Sequence, residues 1–170
     1  MVRRSCGFIV FRRNQGDIEY LLLQSSGRRH HWSPPKDGAW KERNHARSGM
    51  VAHASGVPNN GIVRLPGGVM RRETEIATAL RETEEETGLL AADLKIYEDS
   101  KQKINYRWKG TLKYVTYWLV ELINYDKPVT LSDEHQAFKW LQLEEACTTC
   151  LSAVQELLRS YNDNILKNLS

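Results

Sequence analysis

An α/β or α+β domain is what the sequence predicts, and three observations carry that expectation. Short runs of apolar, aromatic and β-branched residues recur along the chain, strongest at Thr111–Leu122. Residues 73–87 read as a helix lying among those runs, and 144–161 read as a second helix that closes the chain. A length of 170 residues suits one domain that buries an adequate core without disulfides or metal staples.

The elements follow in order. Residues 5–12 and 18–25 are apolar runs parted by Asn14-Gln15-Gly16-Asp17, which predicts strand, turn and strand. His30-His31-Trp32-Ser33-Pro34-Pro35-Lys36 is extended, because consecutive prolines exclude helix. Residues 37–66 show no period of 2 or 3.6 and are predicted as an inserted loop within a single domain spanning 1–170. In 73–87, Ile76, Ala77, Leu80 and Thr83 form the less polar stripe and Gly88 is the C-cap. Residues 94–97 and 101–106 are predicted strands, as are Thr111–Leu122 and the short run 137–141. The closing helix carries apolar residues at 147, 151, 154, 157 and 158.

Composition excludes several classes. Hydrophobic residues at 41% and charged residues at 26% are globular proportions, not those of a disordered or fibrous chain. No run approaches the roughly 18 apolar residues that a membrane-crossing helix needs. The apolar run 6–11 is too short for a secretory leader, and Arg12-Arg13 follows it directly. Three cysteines make no disulfide framework, so a cytoplasmic protein is expected, with the nucleus as an additional location. A net charge of +3 is too balanced to predict a stable nucleic-acid partner.

Glutamates concentrate between residues 73 and 86, and their spacing is informative. On a helix Glu82, Glu85 and Glu86 share one face, where three carboxylates repel one another. A hard divalent cation removes that conflict: Mg²⁺ takes a few carboxylates and completes its octahedron with water and substrate phosphate. Arg81 is placed to orient one of them by a charge-assisted bond, and Glu73 falls in the first turn, where the helix dipole favours a negative charge. A solvated glutamate face is the ordinary alternative for a Glu-Glu pair. Seven fixed identities argue otherwise: Gly67, Glu73, Arg81, Glu82, Glu85, Glu86 and Gly88. Chance agreement at one start is on the order of one in 10⁸ at average residue usage.

This pattern resembles the box that marks the Nudix hydrolases, departing from it at Thr83, where an aliphatic residue is usual. Outside 37–66 the resemblance extends to the animal asymmetrical diadenosine-tetraphosphate hydrolases. It is carried by Cys6 to Arg13, Tyr20 to Gln24, His30 to Lys36, Ala79 to Thr83, Tyr117-Trp118-Leu119 and Glu134 to Trp140. The resemblance implies a mixed β-sheet sandwiched between helices and an enzyme that attacks a polyphosphate bridge with water, releasing ATP and AMP. It implies Mg²⁺, with Mn²⁺ as an alternative, a small dinucleoside polyphosphate as partner, no membrane and a monomer.

Carried over by position, Glu82 and Glu86 are the leading metal ligands, and Glu85 helps bind metal or activates the attacking water. Arg81 completes the catalytic set, while Glu134, with Asp133 as its rival, and the Gly67 carbonyl complete the metal set. His31, Lys36 and Lys113 match residues that hold polyphosphate, and Tyr106 matches an adenine-stacking aromatic, with Tyr161 a candidate second wall. Each has a plainer alternative: Lys113 merely solvated, Tyr106 merely packed, His31 bonded to a backbone carbonyl, Glu134 capping a turn. Cys147-Thr148-Thr149-Cys150, without a second pair, reads as structural.

In the hydrolases this chain resembles, Lys36 runs almost directly into the box. Here 37–66 intervenes with Lys41, Arg43, Arg47 and Arg64 against Asp37 and Glu42. The expectation is a tolerated loop, since closure entropy grows only logarithmically with length. A basic lid or a disabling insertion are the alternatives. The alternative functions are therefore a Nudix pyrophosphohydrolase acting on capped RNA ends or diphosphoinositol polyphosphates, or a nucleotide-binding protein whose turnover the insertion has abolished.

Overall fold

The computed structural model describes residues 2–27, 30–36, 62–64, 70–72, 74–108 and 110–168. Strands β1 (Val2–Asn14) and β2 (Asp17–Ser25) form a hairpin that turns through Gln15 (φ 52) and Gly16 (φ 95). Their pairing runs only from Asn14↔Asp17 to Phe11↔Tyr20, after which the strands part. The proline-rich segment fills the gap. Its strand β3 (Trp32–Ser33) pairs with Gln24 and Leu23 of β2, the Phe8 N–H donates to the Pro35 carbonyl (3.1 Å), and Lys36 bridges Gly7.

β4 (Ile62–Arg64) and β5 (Met70–Arg72) pair antiparallel as a separate two-stranded ribbon. Helix α1 (Glu75–Thr87) follows, and the turn Ala91–Asp93 leads into β6 (Leu94–Trp108). β6 is antiparallel to β7 (Thr111–Leu122), which runs parallel to β1 from Val2↔Leu112 to Phe11↔Glu121. β8 (His135–Leu141) pairs along β2, and α2 (Leu143–Thr149) and α3 (Ser152–Asn168) end the chain. The main sheet thus has the order β3-β2-β1-β7-β6, with β8 also on β2.

The strands are apolar run after run because both faces of the sheet are covered. Cys6, Phe8, Val10, Leu21, Leu23, Trp118, Val120 and Leu122 pack with Ala79 and Leu89 on the α1 side. Ile9, Phe11, Tyr20, Leu22, Tyr117 and Leu119 pack with Val154, Leu157, Leu158, Tyr161 and Ile165 on the other. Each fully buried aliphatic or aromatic side chain contributes about 1.5–3 kcal/mol. The expected mixed sheet between helices is therefore the architecture found.

Several boundaries differ from expectation. α1 starts at Glu75, because Thr74 is its N-cap and accepts from the Ala77 N–H (3.2 Å). Its buried face includes Thr83 but takes Thr78 and Ala79 where Ala77 was expected, with Ile76 and Leu80 only partly buried. The predicted strands 94–97 and 101–106 are one strand interrupted by a bulge. There Ser100 Oγ accepts from the Leu119 N–H (2.7 Å), satisfying a ladder donor that the bulge would otherwise strand. The closing helix is two helices, since backbone at Cys150 turns extended (ψ 175) and bridges Trp32. Part of the predicted loop 37–66 is strand, at Ile62–Arg64; residues 37–61, 65 and 66 lie outside the described residues. Ile62 and Val63 are β-branched, a strand signal that the aperiodic residues before them obscured.

Gly7 is where the gap is tightest. A Cβ there would run into the Pro35 carbonyl oxygen and stand 2.5 Å from Lys36 Cβ. Gly7→Ala is expected to push the Pro35–Lys36 segment out of the sheet at a cost of about 1–3 kcal/mol. Urea unfolding of the two proteins checks this; an unchanged midpoint would mean that the segment is not wedged against Gly7.

Candidate active site

Four segments converge over the gap between β1 and β2: the end of α1, the Trp32–Lys36 segment, the loop before β8, and the tip of the β6–β7 hairpin. α1 stops at Gly88 (φ 71), whose N–H donates to the Glu84 carbonyl (2.8 Å). The loop before β8 is tied down by backbone bonds from the Thr130 N–H to Thr87 (2.8 Å) and from the Ser26 N–H to the Glu134 carbonyl (2.9 Å). Ser26 Oγ donates to the Asp133 carbonyl as well (2.9 Å). These bonds bring the neighbourhood of Glu134 to the end of α1, although 48 residues separate Glu134 from Glu86 in sequence.

Between the segments lies a cavity of about 390 Å³. Glu86, Lys36, Glu134, His135, His31, Lys113, Tyr106 and Trp108 line it, with Ser25, Ser33, Thr111 and Leu151 completing the wall. Glu86 is only 6% exposed and accepts the Lys36 backbone N–H (3.0 Å). Burial, together with the neighbouring Glu82 and Glu134 charges, pushes its carboxyl up to about 8 against the opposing pull of Lys36. His135 Nε2 stands 3.9 Å from Glu86 Oε1, and its Nδ1 is buried without a hydrogen-bond partner among the described residues.

Two further box glutamates, Glu82 and Glu85, are not among the residues that line the cavity. Arg81 Nη1 bonds Glu82 Oε1 (2.7 Å) and Glu85 Oε1 (3.1 Å), holding both carboxylates on the flank of α1. Glu85 is the more open, with half its side chain exposed. Among the described residues, no three acidic, His or Cys side chains close on one point. In chemistry the set nevertheless fits a hard cation: Glu86 is a buried carboxylate destabilised by two others, a conflict that a divalent ion relieves. Gly67 and Glu73 lie outside the described residues.

In the same cavity His31 Nδ1 is 3.0 Å from Ser25 Oγ, and burial, then Lys36 and Lys113, hold the ring below the usual imidazole range. Lys113 and Tyr106 are cross-strand partners on β7 and β6. Tyr161 is the clear correction. It is 1% exposed within the core, with its hydroxyl donating to the Ser100 (2.8 Å) and Tyr117 (3.1 Å) carbonyls, so neither ring face is open to a base. Its place in α3 at spacing 154, 157, 158, 161, 165 follows the core stripe, a signal that outweighs its being aromatic. Trp108 and His135 line the cavity without having been singled out. Trp108 was legible through the alternation that also carries Tyr106, two residues earlier on the same strand face.

Over residues 1–167 the sequence matches the NUDIX domain. The chain belongs to the Nudix family. Among its relatives, this Nudix protein is 39% identical over 153 residues to the mouse asymmetrical bis(5′-nucleosyl)-tetraphosphatase, covering 86% of this chain and 84% of that one. To the Caenorhabditis elegans enzyme of the same name it is 37% identical over 146 residues, covering 86% and 83%. Its structure resembles a crystal structure of a C. elegans Ap4A hydrolase binary complex, with a TM-score of 0.72 at 34% identity, covering 96% and 98% of the two chains. The MutT protein from Methanosarcina mazei shares the Nudix fold at 19% identity, with a TM-score of 0.59 over 96% and 94%.

The raised Glu86 carboxyl has a consequence for the metal-free protein. Below about pH 4.5 it is protonated folded and unfolded; between there and about 8 the unfolded chain gives up the proton and the folded chain keeps it. Stability therefore falls across that window and the loss is complete above it. In chelator, Glu86→Gln is expected to melt higher than the parent at pH 8.5 and to converge with it near pH 4.5. Parallel melting curves at every pH would mean that Glu86 does not carry this penalty.

Proposed function

We propose that this Nudix protein hydrolyses diadenosine tetraphosphate asymmetrically, to ATP and AMP, using Mg²⁺. The observation that carries the reading is one cavity lined by a buried box carboxylate, Glu86, together with Lys36, Lys113, His31 and Tyr106. The names of the mouse and C. elegans relatives support the same substrate.

Each residue has a task in that reading. Lys36, Lys113 and His31 bind the bridge, whose charge of about −4 would otherwise oppose an approaching nucleophile. Tyr106 stacks on an adenine, an interaction that contributes roughly 1–3 kcal/mol and is tolerant of base identity. Glu82, Glu85, Glu86 and Glu134, with the Gly67 carbonyl, would hold the cation, whose chemistry when bound is to lower the pKa of water and to offset phosphate charge. Arg81 orients Glu82 and Glu85, to which it is already bonded. Glu134 is favoured over Asp133 because it lines the cavity.

The segment beginning at Asp37 is read as a tolerated insertion, supported by the position of Lys36, which keeps its bond to Glu86 directly before it. Three buried cysteines that form no disulfide fit a cytoplasmic protein, which is read as a monomer. No helix among the described residues is long and apolar enough to cross a membrane.

Product analysis tests the reading. Diadenosine tetraphosphate with Mg²⁺ is expected to yield equal ATP and AMP, with no turnover in chelator. Two ADP would mean a different scissile bond, and no product would leave the box as a mark of the fold alone. Glu86→Gln is expected to lower kcat by roughly 100-fold or more; an unchanged kcat would remove Glu86 from the site.

A further inference from the structure

Trp108 sits inside the anion-binding wall, not beside it. Its ring centroid is 5.0 Å from that of His31, at an interplanar angle of 48°, and Lys113 Nζ stands 6.0 Å from it. His31 lies just before β3, Lys113 on β7 and Trp108 at the last position of β6, so three separate segments meet on one indole. The β6–β7 hairpin turns tightly here: Trp108 pairs with Thr111, and Gly110 takes a left-handed conformation (φ 76).

We propose that Trp108 is a positioning residue, whose indole holds His31 and Lys113 at the spacing with which they grip a polyphosphate. The proposal deepens the function above and rests on its assignment of His31 and Lys113 to anion binding.

The physics favours this over base stacking. A nucleobase needs an open aromatic face, and the Trp108 ring already serves an imidazole and an ammonium group. An indole is the strongest of the aromatic rings at attracting a cation. A lysine on a strand samples many rotamers in water, and ordering it at the moment of binding costs free energy that a preformed contact removes. His31 is steadied from two sides: Ser25 Oγ at Nδ1 and the indole against the ring. Tyr106, two residues earlier on the same strand face, lines the same cavity and is the ring this reading leaves to the base.

The test uses the full chain with Mg²⁺ and inorganic tripolyphosphate, a probe without a nucleoside, measured by calorimetry beside AMP. Two bulky apolar replacements separate shape from ring chemistry: Trp108→Leu, which fills space without a π face, and Trp108→Phe, which keeps one. Trp108→Leu is expected to weaken tripolyphosphate binding about tenfold, with Trp108→Phe recovering most of the loss. AMP affinity should change far less, and with diadenosine tetraphosphate the loss should fall on KM more than on kcat. Unchanged tripolyphosphate binding in Trp108→Leu, or equal losses in both variants, would overturn the proposal. So would a loss confined to AMP, which would make Trp108 a base-stacking residue. If the parent binds tripolyphosphate but does not hydrolyse diadenosine tetraphosphate, the substrate assignment fails while this comparison still decides the role of Trp108.

Discussion

The structure depends on how β1 and β2 separate beyond Phe11 and what occupies the space between them. Two strands that stop pairing leave a row of backbone donors and acceptors, and buried groups of that kind must find partners. The Trp32–Lys36 segment supplies them, bonding β2 through Gln24 and Leu23 and β1 through Phe8. Paired prolines suit the role, since they stay extended and Pro35 contributes an acceptor without needing a donor satisfied in return. The fit requires a residue without a side chain at Gly7. From this wedge Lys36 emerges at the end of α1, and its backbone N–H meets Glu86.

The cavity is held by independent anchors. The loop containing Glu134 is bonded to both Thr87 and Ser26, so it is tied to α1 and to the end of β2 at once. The β6–β7 hairpin carries Tyr106, Trp108 and Lys113 as neighbours across two strands. Strand geometry places these groups more rigidly than a loop would, which matters where a long anionic ligand must be gripped at several points. The opposed electrostatics are also local. Glu86 is destabilised as an anion by burial, while His31 is destabilised as a cation by burial and by Lys36 and Lys113. An extended polyanion accompanied by a divalent cation relieves both strains together.

Much of this was legible in the sequence. Apolar runs of strand length, Gly88 at the end of α1, and the glutamate spacing are local features, and local sterics and periodicity determine them. The predicted site residues Lys36, Glu86, His31, Lys113, Tyr106 and Glu134 share one cavity. What the sequence alone could not supply was orientation. Tyr161 and Tyr106 are both aromatic residues in amphipathic elements, and only packing decides that one ring is sealed in the core while the other lines the cavity. Which box glutamate enters the cavity was equally undecided, because three carboxylates on one helix face are equivalent until Arg81 engages two of them and Lys36 the third. The role of Trp108 in the wall arises from three segments distant in sequence meeting at one ring, a contact that no local pattern encodes. Residue types and periodicity thus determined the class of fold and the chemistry available, whereas burial and long-range pairing decided which of those groups face one another.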